Sequence, residues 1–180
     1  MTSELFCGHL VRLRAVNREE NAKAWARWNT DSDFVRNWDV RPAWLPPTSQ
    51  LEEWVIEGGN DAGNFAIHTL VDDQFIGLVG LDGFDWMSRS AWVGIGIGEP
   101  EFQGKGYGTD AMKVILRYGF AELNLHRVNL TVFEFNQRAI RCYEKCGFKH
   151  EGTQREFIFK ENKRWGIVNM GILRTEWEAA

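Results

Sequence analysis

No stretch of this 180-residue chain has enough consecutive apolar residues to cross a bilayer as a helix, so no membrane span is expected within it. Basic residues are not in excess: 21 Lys and Arg against 25 Asp and Glu leave a formal net charge of −4, so the electrostatic footprint of a nucleic-acid binder is missing. Cysteine is scarce. Cys7, Cys142 and Cys146 include no pair at zinc-finger spacing, and no His pair supplies the other half of such a site, so a structural metal is not expected. The odd count and the lack of a signal-peptide pattern point to a reducing cytoplasm. Proline is rarer than average, and three of the four, Pro42, Pro46 and Pro47, crowd into one short segment. No Gly-x4-Gly-Lys-Ser/Thr loop occurs, which removes the usual nucleotide triphosphate cradle.

Aromatic residues are plentiful, with nine Trp and twelve Phe. They serve core and interface packing or line an aromatic substrate pocket. The length suits one domain with a sizeable core, and neither a repeat nor a linker divides residues 1–180.

The apolar pattern gives an element order. Leu10–Leu13 alternates as a strand, with Val11 and Leu13 on one face. Glu19–Trp28 reads as a helix whose apolar face carries Ala22, Trp25, Ala26 and Trp28. Asp31–Pro47 reads as irregular. A helix resumes near Thr48 or Ser49, where Glu52 completes a capping box on Ser49, Trp54 and Val55 anchor it, and Gly58-Gly59 ends it. A hairpin follows, Asn64–Val71 with Phe75–Leu81 around Asp72-Asp73-Gln74. The turn Asp85–Arg89 leads to the strand Ala91–Ile97, which Pro100 closes. A helix over Thr109–Leu123 buries Met112, Ile115, Leu116, Gly119 and Leu123. Arg127–Phe133 is a strand, and Gln137–Lys145 is a helix stopped by Gly147. Glu156–Lys160 and Gly166–Leu173 form a last hairpin around Glu161-Asn162-Lys163. This order predicts an α+β fold, a mixed sheet with helices packed on it.

The segment with most chemical content is Gln103-Gly104-Lys105-Gly106-Tyr107-Gly108. It joins a strand to a helix start, where backbone N–H groups lack internal partners and sit at the positive end of the helix dipole. Glycine lets a ligand approach them closely. The result is an anion cradle. A dinucleotide fingerprint is a poor match, because Gly104-x-Gly106-x-Gly108 has the wrong third spacing and follows a hairpin rather than a first strand. A second element lies about one helix and one strand further on: Asn136-x-x-Ala139-x-x-x-Tyr143-x-x-x-Gly147-Phe148.

Together these two elements resemble the coenzyme A signature of the GCN5-related N-acetyltransferase (GNAT) family, and the element order is similar along almost the whole chain. Leu10-Val11-Arg12-Leu13-Arg14 and the closing hairpin resemble the branch that acetylates ribosomal-protein N-termini and related small amines. The resemblance implies a mostly antiparallel sheet of about seven strands with helices on both faces, splayed at the cofactor-binding strand. It implies acetyl-CoA as cosubstrate, no metal, and transfer of the acetyl group to a primary amine by direct attack in a ternary complex. A protein N-terminal α-amine is the expected acceptor. The alternatives are a small molecule (polyamine, amino acid or antibiotic amine) or a non-catalytic acyl-CoA sensor. Edge strands of the last hairpin offer a pairing surface for a homodimer.

By the same resemblance, Gly104, Lys105, Gly106, Tyr107, Gly108 and Thr109 hold the pyrophosphate, and Gln103 closes the turn. Lys105 points its charge at a phosphate or at solvent, and Asp110 complements the helix dipole. Main-chain groups of Ile95, Gly96 and Ile97 pair with the pantetheine arm as if it were an added strand. Gly94, Gly96 and Gly98 mark this strand for flexibility or close approach. Asn136 caps a helix and bonds the arm, and Tyr143, on the same face two turns on, protonates the leaving thiolate. A phenol of pKa ~10 keeps its proton at neutral pH, whereas a thiolate of conjugate pKa ~8.5 takes one on departure. Arg141 and Lys145 reach the adenosine phosphate or simply face solvent. Cys142 and Cys146 read as small packing residues.

The base is less defined. Relatives carry a Glu where this chain has Trp92, or one on the next strand where it has Thr131. Asp82, Asp85, Glu134 or a water chain remain. His9, His68, His126 and His150 belong to no motif. The acceptor enters beside Asp31–Pro47, where Trp38 and Trp44 with Asp33 and Asp39 form an aromatic and acidic slot for an ammonium, or pack as an ordinary loop.

Overall fold

The computed structural model describes residues 4–38, 40, 45–47, 49–51 and 63–179. Seven strands form one sheet in the order β1-β2-β3-β4-β5-β7-β6. They are β1 (Val11–Ala15), β2 (Asn64–Thr69), β3 (Phe75–Asp85), β4 (Ser90–Ile97), β5 (Arg127–Phe133), β6 (Lys149–Lys160) and β7 (Lys163–Leu173). Every neighbouring pair is antiparallel except β4 with β5. The helices are α1 (Arg18–Trp28), α2 (Ser32–Trp38), α3 (Tyr107–Arg117), α4 (Gln137–Lys145) and α5 (Arg174–Glu178). None of the helices among the described residues is long and apolar enough to cross a membrane.

Strand alternation explains why helices cover both faces. Ile67, Ile76 and Val79 point into the main core with Met112, Ile115 and Leu116 of α3 and with Tyr143 of α4. Their neighbours Ala66, Phe75 and Leu78 point the other way, to Ala24, Trp28, Phe34 and Val35 of α1 and α2. Each large side chain buried in this way contributes about 1.5–3 kcal/mol.

Several boundaries differ from expectation for identifiable reasons. Leu10 is exposed, and β1 starts at Val11. In α1, Ala24 is buried, while Ala26 is only half-buried. Asp31–Pro47 is not irregular throughout: Ser32–Trp38 is helical. Asp31 accepts from the Asp33 N–H at 2.9 Å, its carbonyl accepts from the Val35 N–H, and Phe34 and Val35 are buried. Residues 49–51 are helical where a helix was expected to resume, whereas Glu52, Trp54, Val55, Gly58 and Gly59 lie outside the described residues. α3 begins at Tyr107, and beyond Arg117 it widens into a π-helical turn, Tyr118–Glu122. The Arg174 guanidinium closes that turn, donating to the carbonyls of Phe120 and, at 3.0 Å, Leu125. β6 begins at Lys149, seven residues before the expected Glu156, because register shifts between His150 and Gly152 and between Gln154 and Ile158 break its alternation. Glu161 and Asn162 both have positive φ, and β7 resumes at Lys163.

Candidate active site

β4 and β5 run parallel and pair only at Ser90–Arg127, Ala91–Val128 and Trp92–Asn129. Beyond that point they part. β4 stays bonded to β3 as far as Gly77–Ile97, and β5 stays bonded to β7 as far as Phe133–Ile167. The expected splay is therefore present, and the β4 main chain beyond Trp92 has no partner on β5. A cavity of about 550 Å³ fills the wedge. Residues 93–97 and 131–133 form its walls, Gln103, Gly104, Gly106, Gly108 and Thr109 one end, and α4 its flank.

The end wall is built by glycine and proline chemistry. Pro100–Phe102 makes a 3₁₀ turn after β4, and the Gln103 N–H donates to the Pro100 carbonyl at 3.1 Å. The Gln103 side chain donates to the Ile97 carbonyl at 2.9 Å and accepts from Arg138, so it closes the turn as expected. Gly104 and Gly106 have φ of +73° and +95°, values that burden any residue with a Cβ. Gly106 is the N-cap of α3, and no side chain caps that helix. The α3 amides therefore face outward at the positive end of the dipole. Lys105 is exposed, and Tyr107 packs edge-on against Phe102 at 5.1 Å, so neither side chain adds to the wall. Asp110 is buried and turned away from the cavity, accepting from the N–H groups of His9, Leu10 and Val11 at 2.7–3.1 Å. It ties the N-terminal segment to α3.

The glycines in and just after β4 have a more specific role than flexibility. A Cβ on Gly96 would come within 2.2 Å of the Trp38 ring, and one on Gly98 within 2.0 Å of Trp28. Both glycines admit the indoles of α1 and α2 against the strand. A Cβ on Gly94 would meet nothing within 4 Å and would point into open space. Ile95 and Ile97 pack towards the main core. Glu99 is buried just past β4. It accepts from the Trp28 indole N–H at 3.0 Å and pairs with Arg27, which fixes α1 at this corner.

On α4, Asn136 is the N-cap: its Oδ1 accepts from the Ala139 N–H at 3.1 Å. Asn136, Ala139 and Tyr143 all line the cavity. Tyr143 is buried, and burial first, then the Cys142 and Cys146 thiols, push its pKa well above 10.0. Its phenol keeps its proton throughout the neutral range. Gly147, φ +93°, stops the helix, and the Phe148 N–H returns to the Tyr143 carbonyl at 3.1 Å.

On α4, the sequence expectations omit Arg138 and take Cys142 for a packing residue, and both line the cavity. Arg138 joins Arg141 and Lys145 to make the charged lining wholly cationic among the described residues. Cys142 is not mere packing: it faces the cavity with its Sγ 3.2 Å from the Thr109 Oγ1. A better signal for both was their spacing from Lys145: Arg138, Cys142 and Lys145 recur at i, i+4 and i+7 and share one stripe of α4.

The candidate bases are not brought to the cavity. Asp82 is exposed opposite Trp92 in the β3–β4 ladder, and what burial it has raises its pKa. Asp85 caps its own turn: the Ser88 hydroxyl, at 2.7 Å, and the Ser88 and Met87 N–H groups hold its carboxyl below the usual range. Glu134 accepts from the Gly166 N–H at 2.8 Å. No carboxylate or imidazole lines the cavity among the described residues. Thr131 does line it, whereas Trp92 lies outside. At the far end stand Phe34, Asn37, Trp38, Phe133 and Ile167. Trp38 meets Trp25 edge-on at 4.6 Å and stacks near Phe34 at 5.7 Å. Asp33 is exposed and pairs with Arg36 at 3.8 Å, while Asp39 and Trp44 lie outside the described residues.

An extended, amide-bearing arm ending in phosphates fits this wedge: unbonded strand on one side, outward helix amides and cations at one end. No group of His, Cys, Asp and Glu suited to a metal ion occurs among the described residues. The sequence matches the family model described as Acetyltransferase (GNAT) domain over residues 11–149. It is 30% identical over 180 residues to the SPbeta prophage-derived uncharacterized N-acetyltransferase YokL of Bacillus subtilis, covering 99% of this chain and 98% of that protein. It is 38% identical over 170 residues to a spermidine N(1)-acetyltransferase of Vibrio cholerae, covering 93% and 95%. The crystal structure of spermidine N-acetyltransferase from Vibrio cholerae in complex with CoA and spermine superposes with a TM-score of 0.82 at 29% identity, over 93% of this chain and 98% of that one. The chain therefore belongs to the GNAT acetyltransferase family and is an N-acetyltransferase that takes its acetyl group from acetyl-CoA.

Proposed function

We propose that the acceptor is a small cationic amine of the polyamine class, acetylated at a primary amino group in a ternary complex. The observation that carries this reading is one continuous cavity, running from the glycine cradle past Asn136 and Tyr143 to an aromatic end at Phe34, Trp38 and Phe133. Aromatic faces attract an ammonium and its carbon chain together. The relatives named for spermidine support the same substrate class across most of the chain. This replaces the protein N-terminus expected from the opening strand as the leading reading.

In this account the main-chain N–H groups from Gly104 to Thr109 hold the pyrophosphate, with Arg138, Arg141 and Lys145 nearby. Ile95, Gly96 and Ile97 bind the arm through their main chain. An N–H of that strand stabilises the oxyanion as the amine adds to the thioester carbonyl. Asn136 orients the arm while capping α4. Tyr143 gives its proton to the departing sulfur. Most of the acceleration comes from positioning.

One observation favours the α-amine as a second reading. The cavity holds no base among its described residues. An α-amine of pKa ~8 is roughly a tenth neutral at pH 7, while an alkylamine of pKa ~10.4 is well under a thousandth neutral. With no base, a polyamine must lose its proton to water, so its rate should climb steadily with pH. Three free thiols suit action in the cytoplasm, and the β6 edge offers a pairing surface for a second copy. Thiol release from acetyl-CoA, measured with spermidine, spermine and peptides bearing a free α-amine, tests the reading. Polyamines should be turned over with the highest kcat/KM. Turnover confined to the peptides would reverse the assignment.

A further inference from the structure

The chain ahead of β1 is clasped along α3 by two side chains that acetyl transfer as described does not use. Asp110 and Arg117 stand seven positions apart, two turns, on one face of the helix. At the near end the buried Asp110 carboxylate takes three successive amides, those of His9, Leu10 and Val11, at 2.7–3.1 Å, as backbone does around a bound anion. At the far end Arg117 donates to the carbonyls of Glu4, Leu5 and Cys7 at 2.7–3.2 Å. The turn that grips Asp110 is itself fixed. Its Gly8 N–H donates to the Val11 carbonyl at 2.8 Å, and its Leu10 carbonyl accepts from the Leu70 N–H, just past β2, at 2.9 Å. Only glycine fits at position 8, since a Cβ there would fall 2.3 Å from an Asp110 carboxylate oxygen.

This clasp reaches the glycine turn directly. The Asp110 N–H bonds the carbonyl of Gly106, the N-cap of α3, at 2.9 Å, and the Leu10 side chain lies 3.5 Å from where a Gly106 Cβ would stand. No side chain caps that helix, so the aim of its first amides depends on how the N-cap is held from outside. We propose that Asp110 is a positioning residue for the cofactor: it fixes the start of α3 against the sheet so that the amides from Gly104 to Thr109 converge on a diphosphate. The role rests on those amides being the diphosphate site, as in the proposed function. Charge and position act here with opposite signs. A carboxylate in the first turn repels an anionic ligand. If Asp110 served the helix dipole alone, neutralising it would cost stability and leave diphosphate affinity equal or higher. As a positioning group, its neutralisation lowers affinity.

Asp110→Asn in the full chain keeps the side chain's size and removes the charge that holds three amides. Calorimetry should show its Kd for acetyl-CoA raised about tenfold. In steady-state thiol release the KM for acetyl-CoA should rise with it while kcat stays within about twofold, because Asn136 and Tyr143 are untouched. Gly8→Ala leaves α3 chemically intact and displaces the turn, so it should weaken binding in the same direction. The double variant should lose less than the two single losses combined, since both act on one contact. Gly8→Ala also carries the test should Asp110→Asn fail to fold by circular dichroism. A folded Asp110→Asn with unchanged or tighter binding would overturn the proposal, as would a loss confined to kcat, or single losses that simply add. Gly106→Glu separates this from failure of the cradle assignment. If that variant, folded, binds acetyl-CoA normally, the cradle assignment itself falls. If it binds poorly while Asp110→Asn binds like wild type, only the positioning role falls.

Discussion

At the scale of single residues, Tyr143 has the clearest chemical assignment. It is buried on the cavity wall, and its phenol is held protonated. Tyr143→Phe keeps the ring packing against Phe148 and removes only the proton donor. It should lower kcat roughly 10²-fold, the usual scale for a general acid, with little change in the KM for acetyl-CoA; steady-state thiol release checks both. The same burial predicts a pH effect on stability. The folded pKa is raised, so Tyr143 stays neutral in the fold while the unfolded phenol ionises above about 10. Stability contributed through this group is intact below pH 10 and falls as the pH rises beyond it. In thermal melts across pH 8–11, wild type should lose stability relative to Tyr143→Phe as the pH passes 10, because the variant has no phenol to ionise; a pH-independent difference between the two would contradict this. Asn136 illustrates a residue legible on two levels, since its N-cap bond to Ala139 is present and it also lines the cavity. Asp82, Asp85 and Glu134 illustrate the opposite. Proximity to strand ends says nothing about which side of the sheet a carboxylate faces or which turn consumes it.

At the scale of elements, the glycines divide into three kinds. Gly106 and Gly147 serve positive φ, Gly96 makes room for Trp38, and Gly94 borders open space. Each kind predicts a different cost. Gly147→Ala should destabilise by about 1–2 kcal/mol, because an L side chain strains in the left-handed region. Gly96→Ala should cost about 1–3 kcal/mol, since the Trp38 ring must move. Gly94→Ala should be neutral or stabilising by about 0.5–1 kcal/mol, strand glycine being the worse choice for order. Urea midpoints of the three variants check the ranking. β5 and α4 were legible to the residue because β-branched alternation and an Asn-to-Gly frame bound them on both sides. α2 was missed because its single turn of burial, Phe34 and Val35, sits before a proline cluster that dominates the local composition. β6 was cut short because register shifts hide its alternation. Such irregularities depend on the partner strand, which the sequence of one segment does not describe.

At the scale of the whole molecule, one sheet pairs continuously on both flanks and parts in the middle. The parting follows from two strands whose other neighbours hold them fully, β3 for β4 and β7 for β5. Helices on opposite faces then close the wedge, α3 and α4 at the glycine turn and α2 at the aromatic end. The cradle and the Asn136–Tyr143 element were legible because each has a fixed spacing tied to backbone geometry. The aromatic end was not, because it is assembled from residues 95 to 133 positions apart, Phe34 and Trp38 with Phe133 and Ile167. On the proposed reading, acceptor choice belongs to tertiary packing rather than to any local motif.

The most direct measurement is a crystal structure with CoA. The account predicts diphosphate oxygens on the amides between Gly104 and Thr109, the arm along Ile95–Ile97 in place of a β5 partner, and the sulfur facing Tyr143. A diphosphate bound away from the start of α3, or an arm lying outside the gap between β4 and β5, would contradict it.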